Sequence, residues 1–177
     1  MYYTDIKQYD VASGPGVRVS ITISGCKHQC KGCPNENSWD FDNGQPFSPN
    51  TINELISYLE PGYVQGLTIL GGEPMEPANQ IGLLPLARKF KEKYPTKTLW
   101  VYTGYTFDDD IMNLMYPKYA ETKELLSLID VIVDGPYIEE KRTLDKKFIQ
   151  STNQRIILVK ESILKGETIL WTDDNSI

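Results

Sequence analysis

Five short runs of β-branched and aromatic residues, spaced along the chain and separated by segments of helical period, restrict this sequence to few architectures. They are VRVSITISG (17–25), GLTILGG (66–72), TLWVYTG (98–104), DVIVDG (130–135) and QRIILV (154–159), each with the composition of a strand. Between them the spacing changes. Ile52, Leu55, Ile56 and Leu59 recur at helical intervals, with Thr51 and Glu54 as a capping box and Pro61-Gly62 as the stop. Leu83, Ala87, Phe90 and Tyr94 mark a second helical face closed by Pro95, and Pro85 within it demands a kink or a late start. A third helix is expected from Thr106 until Pro117, and Leu125, Leu126, Leu128 and Ile129 predict a further turn or two.

Strand and helix in alternation imply an α/β fold with a mostly parallel sheet. A complete eight-fold barrel takes about 250 residues, whereas this chain has 177. About five βα units would therefore leave an incomplete, TIM-like barrel or a curved open sheet. Residues 1–177 read as one domain on the length prior, with the core in about residues 1–160 and no assignment for the tail 161–177. In that tail ETILWTDD fits either an edge strand or an extension.

The net charge is −6, from 18 Lys and Arg against 24 Asp and Glu, and the basic residues are scattered. Neither nucleic acid nor an anionic membrane surface is an expected partner. No run approaches the roughly 18–20 apolar residues of a membrane helix, and MYYTDIKQYD is too polar for the core of a signal peptide. A cytoplasmic location is expected. Three cysteines, an odd number at tight spacing, do not suit the disulfide framework of a secreted domain.

The stretch SGCKHQCKGCPN (24–35) carries all three cysteines and the only histidine. It follows the first predicted strand, at the carboxyl end where parallel α/β sheets place their chemistry. Soft thiolates select zinc or iron–sulfur clusters. A cubane in an electron carrier uses four cysteines; with three, one iron lacks a protein ligand, which marks a catalytic site by the open-position reasoning used for zinc. Alternatively, Cys26, His28, Cys30 and Cys33 can close a tetrahedral zinc site, although structural zinc sites usually draw on two separated pairs. His28 otherwise reads as a structural or supporting residue. At the end of the second strand LGGEP (70–74) places adjacent glycines, which let backbone approach a ligand, beside the Glu73 carboxylate.

These residues resemble the radical S-adenosylmethionine enzymes, whose signature C-x3-C-x2-C is matched by Cys26, Cys30 and Cys33. The resemblance implies a [4Fe-4S] cluster held by the three cysteines, which are catalytic through it. The open iron would chelate the amino and carboxylate groups of S-adenosyl-L-methionine, and one electron would break the sulfonium bond to yield a 5′-deoxyadenosyl radical. By the same resemblance Gly71, Gly72 and Glu73 contact the methionyl amino group. Gly32 stands where the family often has an aromatic residue near the adenine, leaving backbone contacts there. The cofactor-binding residues expected in all are Gly32, Cys33, Pro34, Gly71, Gly72, Glu73 and Thr103.

Further segments resemble one branch, the activating enzymes of anaerobic (class III) ribonucleoside-triphosphate reductase: SGPGVR (13–18), CKHQCKGCPNENSW (26–39), GQPF (44–47), LWVYTGY (99–105), DVIVDGPY (130–137) and STNQRII (151–157). The resemblance implies a glycyl radical formed on the reductase as partner, with a reduced flavoprotein as electron donor. Alternatives are another glycyl-radical enzyme or a small molecule as target, or a zinc-stabilised binding module without catalysis. Tyr102, Thr103, Gly104 and Tyr105 either shape an adenosine pocket or cap the sheet. Asp134 is a candidate for ligand or partner contacts, and Arg155 is either structural or a partner for a ligand carboxylate. Arg18 reads as an ordinary ion-pairing residue, Trp39 and Trp100 as packing, and Asp108 to Asp110 as a helix N-terminus or a contact for a basic partner.

Overall fold

The structure, a computed structural model, describes residues 1–172. The chain opens with β1 (Tyr2–Asp10) and continues with β2 (Val17–Ile23), β3 (Gln45–Pro46), α1 (Pro49–Tyr58), β4 (Val64–Leu70), α2 (Pro77–Lys93) and β5 (Thr98–Tyr102). A π-helix (Phe107–Met115) precedes α3 (Ala120–Leu128), β6 (Val131–Asp134), β7 (Arg155–Leu158) and α4 (Val159–Lys165). All seven strands form one sheet in the order β3-β1-β2-β4-β5-β6-β7.

The four central strands β2, β4, β5 and β6 run parallel, as their alternation with helices requires. The flanks depart from the sequence expectation. β1 pairs antiparallel with β2 and β3, and β7 pairs antiparallel with β6. The sheet is open, with β3 and β7 at its edges, and strand pairing describes no barrel closure among the described residues. β7 turns back for a physical reason: a parallel return needs a crossover of a dozen or more residues that is usually a helix. Between β6 and β7 the chain forms only a single 3₁₀ turn (Glu139–Lys141).

Alternation along the strands sorts side chains onto two faces. Leu99, Val101, Ile132 and Ile157 join the main core with the apolar stripes of α1, α2 and α3. Trp100, Val131, Val133 and Leu158 face the other way, into a smaller cluster with Phe148 and Trp171. There the Trp100, Phe148 and Trp171 rings meet edge to face at 5.7–5.9 Å.

Local chemistry sets the element ends. The N-cap of α1 is Ser48, three residues before the expected Thr51; its hydroxyl accepts from Thr51 N while Thr51 Oγ1 accepts from Ser48 N, both at 3.3 Å. Pro85 lies inside α2, so the late start is not taken, and Pro77 occupies the first turn. Thr106 and Asp110 cap the π-helix reciprocally. Beyond α4, Ile169 O accepts from Leu158 N and Trp171 N donates to Ile156 O, so the start of ETILWTDD does lie along the edge of β7. Asp173 and Asp174 of that segment lie outside the described residues. Among the described residues no helix is long and apolar enough to cross a membrane.

Among the described residues Arg18, read as ion-pairing, makes hydrogen bonds to the sheet instead of an ion pair. Its guanidinium, 1% exposed, donates to Thr68 Oγ1, Thr98 Oγ1, Leu67 O and Thr98 O at 2.7–2.9 Å and lies 5.4 Å from the Trp100 ring centre. Burial pulls its pKa down to about 10. It fastens β2, β4 and β5 at their amino-terminal ends.

Candidate metal centre and ligand cleft

The cysteine loop leaves β2 at its carboxyl end and is held by backbone bonds from Gly25 N to Ser38 O (2.8 Å) and Cys26 N to Trp39 O (2.9 Å). Asn35 N lies 3.4 Å from Cys33 Sγ, and the nearby backbone N–H groups of His28 and Gln29 at Cys26 and of Tyr137 at Cys30 act to lower those thiols' pKa. All three thiols are free, Cys26 buried and the other two half-buried. Burial raises the Cys26 and Cys30 thiols above their ordinary range despite those donors, so binding a metal there releases protons.

The loop forms one wall of a cleft that opens to solvent. The ends of β4 and β5 form another wall. At the end of β4 the backbone turns through Gly71 (φ +67°) and Gly72 (φ +38°), conformations that favour glycine. A Cβ on Gly71 would run into Thr22 Cγ2, and one on Gly72 would lie 2.8 Å from Ile23 O. Gly72 N donates to Ser38 Oγ (2.6 Å) and Glu73 N to Gly25 O (2.8 Å), joining this turn to the base of the cysteine loop.

The Glu73 side chain turns inward and is fully buried. Its Oε1 accepts from Thr103 Oγ1 (2.6 Å) and Met75 N (2.8 Å), and Oε2 accepts from Gly104 N (2.7 Å). His28 Nε2 approaches Oε2 to 3.0 Å without an aligned hydrogen bond. The Glu73 carboxylate raises the His28 pKa above its usual value, against the opposing effect of burial. Tyr105 packs its ring on His28, 4.4 Å between centres, and donates its hydroxyl to Glu76 Oε2 at 3.0 Å.

Of the residues picked out in the sequence, Cys26, Cys30, Cys33, Gly71, Gly72, Glu73 and Thr103 all line this cleft, whereas Gly32 and Pro34 do not. Gly32 lies under Glu139, where an added Cβ would sit 2.7 Å from Oε1, and Lys31 reaches the same carboxylate at 3.0 Å. Asp134 and Arg155, both candidates for ligand contacts, engage each other: Arg155 Nη2 lies 2.5 Å from Asp134 Oδ2, and Nη1 lies 2.9 Å from Asp108. Tyr102 donates to Phe148 O at 2.7 Å. Trp39, read as packing, lines the cleft with its indole Nε1–H buried and unpaired among the described residues. No signal in the sequence separates it from a core tryptophan; only a buried donor without an acceptor marks it.

Among the described residues no three His, Cys, Asp or Glu side chains converge as a single-ion site requires, and His28 faces Glu73 instead of the thiols. This donor set does not suit one tetrahedral zinc ion. It does suit a cubane, whose cysteines bind separate irons, and the Asn35 N–H at Cys33 Sγ is the kind of donor such clusters use.

Residues 12–157 match the protein family described as a 4Fe-4S single cluster domain, so the class of protein is an iron–sulfur one. The chain is 40% identical to the anaerobic ribonucleoside-triphosphate reductase-activating protein of Enterobacteria phage T4 over 157 residues, covering 88% of this chain and 93% of the relative. Proteins of the same name from Vibrio cholerae and Escherichia coli K12 are 35% and 32% identical, over 88% and 87% of this chain and 97% and 96% of theirs. The chain belongs to the family of anaerobic ribonucleoside-triphosphate reductase-activating proteins.

Proposed function

We propose that this chain is a radical S-adenosylmethionine activase that generates a glycyl radical on an anaerobic ribonucleoside-triphosphate reductase. The observation that carries the reading is the three-thiol wall of Cys26, Cys30 and Cys33, facing the Gly71–Gly72 turn across an open cleft in a chain that has no fourth cysteine. When bound, a [4Fe-4S] cluster and S-adenosylmethionine supply one-electron cleavage of the sulfonium bond to methionine and a 5′-deoxyadenosyl radical, the agent that takes hydrogen from the glycine α-carbon.

The chain's own residues bind and orient. Cys26, Cys30 and Cys33 would hold three irons of the cluster, and the Asn35 N–H at Cys33 Sγ would help to spread the thiolate charge, which favours the reduced state. Gly71 and Gly72, which line the cleft, would offer backbone acceptors to the ligand's ammonium group, because the Glu73 carboxylate is engaged from inside by Thr103, Met75 and Gly104. The Trp39 indole N–H offers a donor to a ligand oxygen. On its solvent side the cleft admits a peptide segment of the reductase, and a small reduced flavoprotein delivers the electron.

Anaerobic reconstitution with iron and sulfide, followed by metal analysis, visible spectra and reduction in the presence of S-adenosylmethionine, tests this reading. It expects about four irons per chain, a cluster chromophore and release of 5′-deoxyadenosine. Stoichiometric zinc without a chromophore, or a chromophore without deoxyadenosine, would refute it.

A further inference from the structure

Two side chains of the cysteine loop reach across to the segment that follows β4: Lys27, exposed and paired with Glu76, and His28, which turns inward toward Glu73. His28 Nε2 lies 3.0 Å from the fully buried Glu73 Oε2, and its ring is held at 4.4 Å by Tyr105. The floor beneath it is Gly104: a Cβ there would sit 2.7 Å from His28 Cδ2 and 2.9 Å from Nε2. Gly104 also donates its N–H to Glu73 Oε2 at 2.7 Å. The end of β5 is thus shaped around this imidazole by the absence of a side chain and by a shared carboxylate.

We propose that His28 is a positioning residue: seated on Gly104 and Tyr105, it fastens the cysteine loop to Glu73 and so sets Cys26 and Cys30 in register with the Gly71–Gly72 turn. The role rests on the reading of this cleft as the site of the cluster and its sulfonium ligand. Glu73 spans the interior side of the same gap, with N–H on Gly25 O and its carboxylate on Thr103, Met75 and Gly104. It therefore remains satisfied when His28 is removed. The loop loses this inner contact while Lys27–Glu76 and the backbone bonds at its base remain, and the buried carboxylate keeps three donors, which separates positioning from a general loss of folding.

The test uses the metal-free chain first. Hydrogen exchange of residues 26–35 should speed up about tenfold in His28→Ala, the order expected for losing a contact to a charged group, with exchange in β4 and β5 unchanged. Gly104→Ala, which evicts the ring while leaving His28 in the sequence, should reproduce this. In the double variant the added methyl group falls into vacated space, so its exchange should match that of His28→Ala alone. In the reconstituted protein, His28→Ala should weaken the S-adenosylmethionine-induced change in the electron paramagnetic resonance spectrum of the reduced cluster about tenfold in apparent affinity, and His28→Gln should recover part of it. Unchanged loop exchange in His28→Ala with an intact sheet, or fully additive effects of the two substitutions, would overturn the proposal. Because the exchange experiment needs no cluster, it stands even if wild-type protein fails to cleave S-adenosylmethionine; that outcome would overturn the reading of the cleft instead.

Discussion

Arg18 and Glu73, two of the buried ionisable side chains, lie at opposite ends of the same parallel strands. Arg18 at the amino-terminal end is ringed by hydroxyls and carbonyls of the sheet. Glu73 at the carboxyl end takes its donors from the turns that leave β4 and β5, and one further contact from the cysteine loop. Arg18 joins strand to strand, and everything it touches is part of the fold. Glu73 joins the sheet to the cysteine loop, alongside the bonds at the loop's base and the Lys27–Glu76 ion pair. The contrast separates a buried charge that holds a scaffold from one that holds a working loop against it.

Substitutions at the two ends should diverge accordingly. The largest effect is expected for Cys26→Ala, Cys30→Ala or Cys33→Ala: loss of the cluster chromophore and of all activation, with a metal-free thermal midpoint close to wild type, measured by absorbance and calorimetry. Arg18→Met should do the reverse. Stranding the acceptors of Thr68, Thr98 and Leu67 should cost about 3 kcal/mol, a fall of about 6–12 °C in thermal midpoint, with activity per folded molecule retained. Gly71→Ala combines both outcomes, since the clash with Thr22 and the left-handed backbone distort the turn. It should lose about 1–3 kcal/mol of stability and raise the KM for S-adenosylmethionine more than it lowers kcat. The smallest effect is expected for Asp134→Asn, which weakens the contact with Arg155 while Asp108 still holds that guanidinium. It should cost about 1–2 kcal/mol in denaturant unfolding and leave activity unchanged. A strong activity defect there would mean that the carboxyl-terminal rim does not divide into scaffold and site as described.

The central strands were legible in the sequence because GLTIL, TLWVY and VIV are the largely apolar runs of buried parallel strands, while VRVSITI is rich in β-branched residues and alternates Val and Ile with Arg18, Ser20 and Thr22. β1 was not, because MYYTDIKQYD keeps most of its residues half or fully exposed and so lacks a clean alternation. Nor does an apolar run carry a direction: QRIIL reads the same whether its strand runs with or against β6, and only the lack of a helix after Gly135 decides. α4 follows β7 without a break residue, so QRIILV merged the two. At the site, the spacing of Cys26, Cys30 and Cys33 and the glycines of LGGEP located the cleft. Sequence could not reveal that Glu73 points inward, that Asp134 and Arg155 satisfy each other, or that Gly104 is the seat of His28. Those depend on which groups three separate strand ends bring within hydrogen-bond reach.

The most direct measurement mixes the reduced, reconstituted protein with S-adenosylmethionine and the cognate anaerobic reductase, without oxygen, and records the electron paramagnetic resonance spectrum of the reductase. A glycyl radical should form with the wild-type chain and not with Cys26→Ala, Cys30→Ala or Cys33→Ala. A radical that persisted in any of these variants, or its absence with a fully loaded wild-type protein, would contradict the assignment.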